Sequence, residues 1–137
     1  VWKGDEDYSY PFPQNSEYST NVHNDNLYRK DLWRASHLRT FKWHLYKQIK
    51  EESLKYTDTG EYYLHAEDLA GSFPCLEMCP SEKIGVVGFI TYVFNESKSN
   101  QIRSQERIKE AGQTKPQNGI TKMEIEIRNQ KPYTISK

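Results

Sequence analysis

Apolar residues recur with helical spacing in two stretches of the chain. The first stretch repeats them at steps of three and four residues, which predicts a helix over about residues 38–54. Its stripe consists of Leu38, Phe41, Leu45 and Ile49. In the second stretch, Leu69, Phe73 and Leu76 predict a helix over residues 66–79. Pro74 is expected to kink or restart this second helix, because proline lacks the backbone N–H that an inner turn uses.

Shorter stretches have the patterns of strands, turns and irregular segments. Residues 61–64 and 84–94 predict strands, and residues 123–127 alternate apolar and charged positions as a strand does. Asp58-Thr59-Gly60 predicts a turn, because Asp can bond to its own backbone and Gly accepts a positive φ. Residues 101–111 predict a polar helix that ends at Gly112. Residues 1–27 keep neither period, and their many aromatic side chains predict an extended segment docked on another surface.

Composition narrows the class of protein. The 137 residues include 19 Lys and Arg and 19 Asp and Glu, so any attraction to nucleic acid or anionic lipid must come from a local patch. Residues 27–50 are the one strongly basic stretch. No apolar run approaches the ~18 residues that span a bilayer, which predicts a chain without a membrane span. Cys75 and Cys79 form no disulfide framework, and they predict small buried thiols in a reducing, cytoplasmic compartment.

Two pairs of polar residues are candidates for chemistry. Glu67 and Asp68 open the second predicted helix, where acidic side chains complement the positive end of the helix dipole. Asp68 also precedes the buried stripe by one residue, so its carboxylate is expected to flank apolar surface as a general base does. His37 and Arg39 would offer two donors to a phosphate or sugar oxygen if the backbone is extended there. The alternative for these two is a surface His beside an exposed Arg.

Six short segments also occur in a recognisable order between residues 28 and 95. They are Tyr28-Arg29, Ser36-His37-Leu38-Arg39-Thr40-Phe41, Asp58-Thr59-Gly60-Glu61-Tyr62-Tyr63, Ala66-Glu67-Asp68-Leu69-Ala70, Pro74-Cys75-Leu76-Glu77-Met78 and Tyr92-Val93-Phe94-Asn95. In this order they resemble the C-terminal half of nucleotide-sugar-dependent glycosyltransferases with the GT-A fold, of the broad family-2 type. The resemblance covers about half of the chain and is carried by the combination of segments.

The resemblance implies a fold and a division of the chain. It implies an α/β protein, namely the acceptor-side portion of a GT-A nucleotide-diphospho-sugar transferase, with two main helices, a few short strands and long irregular ends. Residues 1–27 would form the extended segment, residues 28–95 the acceptor-side half, and residues 96–137 a polar helix and tail. No nucleotide-binding strand-turn-helix unit precedes residue 28. The resemblance therefore implies that another segment or a partner chain supplies that half, and that this chain is inactive alone.

The resemblance also implies roles for individual residues. Asp68, with Glu67 beside it, would lie near the acceptor hydroxyl, and His37 and Arg39 would face the donor diphosphate or the acceptor. A divalent Mn or Mg ion is expected in the complete enzyme, bound by an acid-x-acid motif outside this chain; Asp5-Glu6-Asp7 is not assigned that role. A single carboxylate base implies one displacement, and hence inversion at the anomeric carbon. Flat aromatic faces could stack on a sugar ring, although most such residues are core. These aromatic residues are Trp33, Trp43, Tyr62 and Tyr63.

Two interpretations compete with a glycosyltransferase. The first is a noncatalytic module that holds single-stranded nucleic acid through the basic stretch and its Trp33, Trp43 and Tyr46. The neutral total charge and the absence of an RNA-binding motif disfavour this interpretation. The second is a structural chain that completes the fold of another protein.

Overall fold

The computed structural model describes residues 16–35, 38–64, 66–87 and 122–134. Four α-helices lie within these ranges: α1 (Thr20–Asn24), α2 (Trp43–Tyr46), α3 (Glu67–Met78) and α4 (Lys122–Asn129). Two short 3-10 helices, Glu51–Leu54 and Ser81–Lys83, complete the regular structure of these residues. The described part of the chain contains one isolated antiparallel bridge, between Lys55 and Tyr62, and no longer strand. The α/β architecture that the resemblance implies therefore stays a prediction.

Helix α3 is the longest helix of the described residues and confirms the predicted helix over 66–79. It runs from Glu67 to Met78 and continues through Pro74 without a new start. A proline inside a helix costs about 3 kcal/mol, so tertiary packing has to offset the lost hydrogen bond. Most of α3 is buried, Pro74 included. The helix is thus held by packing on several sides rather than by its intrinsic propensity.

One hydrophobic core collects residues from all described parts of the chain. Phe73 of α3 and Met123 and Ile127 of α4 have no exposed surface. The other buried members of this core are Tyr18, Val22, Tyr28, Tyr63, Ala66, Leu69 and Ala70. A smaller cluster joins Leu45 of α2 to Cys75 and Met78 on α3. The described parts of the three predicted segments, 1–27, 28–95 and 96–137, therefore contribute to a single core.

Helix α4 corrects the strand predicted over 123–127. Met123 and Ile127 are buried four residues apart, which places them on one helical face, whereas Ile125 is exposed. Glu124 and Arg128 form an ion pair at the same spacing, with Oε1 and Nε 2.9 Å apart. Apolar residues at 123, 125 and 127 fit one face of a strand, and those at 123 and 127 also fit one face of a helix. Only Met123 and Ile127 are buried, which is the helical arrangement. Residues 20–24 likewise form α1, where the sequence predicted an extended segment.

The helix predicted over 38–54 is wrong in its length and in its buried face. The structure has α2, a turn, and the 3-10 helix Glu51–Leu54 instead. Leu45 is buried as predicted, but Leu38 and Phe41 are exposed. Where the predicted helix would continue, the backbone N–H of Lys50 donates instead to Tyr133 Oη, at 2.9 Å.

Asp58-Thr59-Gly60 forms the predicted turn, with Gly60 at a φ of +70°. Across this turn the N–H of Tyr56 donates to Glu61 O at 2.8 Å, and the N–H of Tyr63 donates to Leu54 O at 3.1 Å. The strand predicted over 61–64 is thus reduced to one bridge. Residues 84–87 form no strand, and residues 88–94 and the helix predicted over 101–111 lie outside the described residues. No helix among the described residues is long and apolar enough to cross a bilayer.

A buried ion pair fixes α3 to both ends of the described chain. Arg29 donates from Nε to Glu77 Oε1 at 2.5 Å and from Nη2 to Oε2 at 3.0 Å. Arg29 Nη1 also donates to Ile127 O at 2.6 Å, and the N–H of Tyr133 donates to Glu77 Oε2 at 2.9 Å. The guanidinium carbon lies 5.4 Å from the centroid of the Phe73 ring. This polar network sits inside the fold and positions the helix that carries Asp68.

Candidate functional site

An open groove of about 340 Å³ lies between α3 and the residues around α2. Three side chains from residues 38–46 give it an apolar wall, namely Leu38, Phe41 and Tyr46. The first turns of α3 give it a polar wall, made of Glu67, Asp68, Gly71 and Ser72, and Arg39 completes the lining. The groove therefore sets two carboxylates and a hydroxyl against aromatic rings.

Asp68 is fixed in this groove and still accessible. Its Oδ2 accepts a hydrogen bond from Arg39 Nη2 at 2.7 Å, and its Oδ1 accepts one from the N–H of Leu69 at 3.0 Å. The side chain keeps 39% of its surface exposed. Because each carboxylate oxygen has two lone pairs, Asp68 can accept a further hydrogen bond from a molecule in the groove.

Arg39 is held from behind and in turn holds Asp68. Its Nη1 donates to the carbonyl oxygen of Ala35 at 2.9 Å, and its guanidinium carbon lies 5.5 Å from the centroid of the Trp33 ring. Trp33 packs edge-on against the buried Phe73, with ring centroids 5.2 Å apart. The orientation of Arg39 is thus set by the core, and Asp68 receives its position from Arg39.

The start of α3 is strained next to the two carboxylates. Ala66, the residue before the helix, has a φ of 61°, in the left-handed region that costs a residue with a Cβ about 1 kcal/mol or more. Ala66 has no side chain that can cap the helix, so Glu67 and Asp68 supply the negative charge that its dipole favours, and Asp68 Oδ1 accepts the N–H of Leu69 in the first turn. The two carboxylates can therefore complement the helix dipole, as predicted, and still bind a molecule in the groove. Strain of this kind is concentrated at functional sites in proteins.

The structure brings together some of the predicted site residues and separates others. Asp68, Glu67 and Arg39 line one groove. Trp33 lies behind Arg39 and is not among the lining residues. Tyr62 lies elsewhere: its hydroxyl donates to Glu51 Oε1 at 2.8 Å, and this hydrogen bond is the main reason why the pKa of Tyr62 is raised. His37 lies outside the described residues.

Two other aromatic residues named from the sequence have distinct environments. Tyr63 is a core residue whose hydroxyl donates to Glu126 Oε1 at 3.1 Å, and burial raises its pKa to about 12. Trp43 is exposed and stacks on Tyr46, with ring centroids 5.7 Å apart. A sugar platform at Tyr63 is therefore wrong, because its ring is enclosed by the protein.

Sequence reasoning missed part of the groove. Ser72 follows Asp68 by four residues, and Gly71 follows Glu67 by four, so helical spacing alone could have placed both on the polar wall. Phe41 was assigned to a buried stripe, but it lines the groove. No local signal indicated that Tyr46 would face Gly71.

The described residues do not fit a divalent metal. They contain no group of three or more His, Cys, Asp or Glu side chains arranged to hold an ion. Asp68 already accepts from a guanidinium, whose positive charge disfavours a cation beside it. Cys75 and Cys79 are free thiols; burial raises the pKa of Cys75 to about 11, which keeps it protonated at neutral pH.

Comparisons with known proteins add no relative to this description. No protein-family model, no curated protein and no solved structure matches the chain.

Proposed function

We propose that this chain forms the acceptor side of a nucleotide-sugar-dependent glycosyltransferase, with Asp68 as the general base. One observation carries the proposal: the Asp68 carboxylate is fixed by Arg39 and Leu69 yet keeps 39% of its surface exposed, in a groove with an aromatic wall. Sugars present hydroxyl groups at their edges and C–H groups on their faces, which suits carboxylates opposite rings. The competing explanation is an ion pair that only joins two segments.

The chemistry requires a fixed acceptor for a proton that is released late. A sugar hydroxyl is far less acidic than a carboxylic acid, so Asp68 cannot deprotonate it before the reaction begins. As the bond from this oxygen to the anomeric carbon forms, the hydroxyl becomes acidic and Asp68 takes the proton, while the bond to the diphosphate breaks. The carboxylate has to lie within ~3 Å of that hydroxyl. This route is a single displacement and inverts the anomeric carbon.

The other residues of the groove support this step. Arg39 is a positioning residue, since its guanidinium is held by Ala35 and Trp33 and orients Asp68. Its positive charge also favours the departing diphosphate nearby. Glu67 is expected to accept a hydrogen bond from a second sugar hydroxyl, and the Phe41 ring to contact a sugar face. We expect His37, two residues before Arg39, to contact the donor diphosphate or the acceptor.

The nucleotide is proposed to bind to another half of the enzyme. A segment or partner chain outside the described residues is proposed to bind the nucleotide-sugar donor and the Mn or Mg ion, and no step above uses that ion. The acceptor is proposed to be a glycan or a similar molecule with a free hydroxyl. The two free thiols, Cys75 and Cys79, support a reducing compartment, and we propose a cytoplasmic location.

The experiment is an Asp68→Asn substitution in the complete enzyme, with release of nucleoside diphosphate as the measurement. We expect turnover to fall by at least ~10²-fold, because the amide cannot accept the proton, while donor binding is unchanged. Asp58→Asn is the matched control, since it removes the same charge from an exposed turn. Turnover of Asp68→Asn within about threefold of the parent would exclude Asp68 as the base.

Two further variants separate the base from a structural ion pair. Arg39→Met breaks the same pair but keeps the carboxylate, so it should lower turnover less than Asp68→Asn does. Equal losses in both variants, with equal losses of stability, would favour the structural explanation. Glu67→Gln tests which of the two neighbouring carboxylates takes the proton, because a larger loss there would transfer the role to Glu67.

A further inference from the structure

Residues 38–50 present apolar side chains to solvent. Leu38 is 58% exposed, Phe41 46% and Trp43 66%, which is unusual for large apolar residues so close in sequence. Phe41 and Trp43 both stack on Tyr46, with centroid distances of 5.2 and 5.7 Å and interplanar angles of 11° and 19°. The two exposed rings are therefore held in place. We name the basic-aromatic surface by its residues: Leu38, Phe41, Lys42, Trp43, Lys47 and Lys50.

The surface lies in a locally basic part of the sequence. No Asp or Glu occurs between residues 32 and 50, whereas five Arg and Lys do. Arg34 pairs with Asp31 and Arg39 with Asp68. Lys42, Lys47 and Lys50 are exposed and form no ion pair with any described residue. The segment that carries the exposed rings therefore also carries three exposed lysines without an ion-pair partner among the described residues, in a chain whose net charge is zero.

We infer that the basic-aromatic surface binds an anionic lipid membrane. Trp43, which does not line the groove, enters the headgroup region, where amphipathic rings are favoured, and the lysines contact lipid phosphates. Because Tyr46 already orders the rings, little side-chain freedom is lost on binding. This inference does not rest on the proposed transferase.

Two features favour a lipid surface over single-stranded nucleic acid. The first is Leu38, which offers exposed apolar area but no ring on which a base can stack. A long polyanion also gains from many contacts along a basic groove, whereas the positive charge here is confined to one short segment. An anionic membrane needs only a local cluster of lysines beside insertable side chains.

The test is sedimentation of the 137-residue chain with lipid vesicles. Vesicles in which about one third of the phosphatidylcholine is replaced by phosphatidylglycerol should bind the chain, and added salt should weaken the binding. Lys42→Gln/Lys47→Gln should lower the partition coefficient roughly 25-fold, at about fivefold per lysine. The matched control is Lys30→Gln/Lys122→Gln, two exposed lysines outside the surface, with an expected change below about threefold. Trp43→Ala should weaken binding by roughly tenfold without changing its salt dependence.

Three results would overturn the inference. The first is an absence of binding to phosphatidylglycerol vesicles at low salt. The second is an equal loss in the two lysine double variants, which would show that only the total charge matters. The third is a single-stranded oligothymidine that binds the chain more tightly than the vesicles do, which would assign the surface to nucleic acid. The assay contains no nucleotide sugar, so a failure here leaves the proposed transferase standing.

Discussion

Replacement of Glu77 by Gln tests the buried network that holds α3. Glu77 accepts three hydrogen bonds: two from the Arg29 guanidinium, at 2.5 and 3.0 Å, and one from the N–H of Tyr133, at 2.9 Å. The side chains of Arg29 and Glu77 are only 2% and 0% exposed, so water cannot replace a lost partner. Gln has nearly the same shape, and the substitution therefore changes charge and hydrogen bonding with little change in packing.

The expected loss of stability follows from the burial of the pair and from the hydrogen bonds that Gln can replace. A Gln side chain has one acceptor oxygen and one amide donor group, so its amide would point at a donor of Arg29 or Tyr133. The substitution leaves a buried guanidinium without its counter-charge, and breaking such a pair from one side costs about 3–5 kcal/mol. We expect Glu77→Gln to lower the free energy of unfolding by about 3 kcal/mol, the lower end, because one acceptor is retained. That is a large part of the roughly 5–15 kcal/mol that stabilises an ordinary domain.

Urea unfolding followed by circular dichroism measures this change. Glu51→Gln is the control, because it removes one carboxylate from an ion pair with Lys55 in which the Glu51 side chain is 64% exposed, and it should lower the free energy of unfolding much less than Glu77→Gln does. The double variant Arg29→Met/Glu77→Leu should recover part of the loss, since it leaves no buried charge. A loss below about 1 kcal/mol in Glu77→Gln, or a double variant less stable than the single one, would refute the reasoning.

Two further predictions concern helix α3 and the buried tyrosines. Gly71→Ala should raise the free energy of unfolding by about 0.5–1 kcal/mol, because the new Cβ would lie at an ordinary 3.5 Å from Tyr46 Cε2 and Ala favours the helix. Urea unfolding checks this, and a loss of stability would show that Tyr46 cannot accept the methyl group. Burial raises the pKa of both Tyr28 and Tyr63 from 10.0 to about 12. Their contribution to the free energy of unfolding is therefore complete below pH 10, and it is lost as the pH rises toward 12, because the unfolded chain loses these protons first. Unfolding measured against pH should show this loss, and Tyr28→Phe/Tyr63→Phe should reduce it; an unchanged slope would contradict the assignment.

The elements that the sequence predicted well are those with local causes. The α3 stripe of Leu69 and Phe73 and the turn at Asp58-Thr59-Gly60 depend on residues within a few positions of one another. The predicted helix over 38–54 fails at both ends, since α2 begins only at Trp43 and the backbone N–H of Lys50 bonds to Tyr133, 83 residues further on. A single sequence carries no signal for a hydrogen bond of that separation.

The candidate site was predictable to the same extent. The place of Glu67 and Asp68 at a helix start was predictable because it is a local property, whereas their role in a site stays a prediction. The contact between Arg39 and Asp68 joins residues 29 apart, and it was expected only from the resemblance to glycosyltransferases. The Arg29–Glu77 pair joins residues 48 apart, and nothing in the local pattern distinguished either one from a surface charge.

The buried core and the groove are physically connected, and this bears on the proposed mechanism. Phe73 has no exposed surface, its ring contacts Trp33 at 5.2 Å, Trp33 lies 5.5 Å from Arg39, and Arg39 bonds to Asp68 at 2.7 Å. A general base acts only if its oxygen stays within a fraction of an ångström of the productive position. An exposed side chain on a free helix end would not meet this condition. The contacts from Phe73 through Trp33 and Arg39 to Asp68 give the carboxylate a position that core packing supports, although the side chain keeps 39% of its surface exposed.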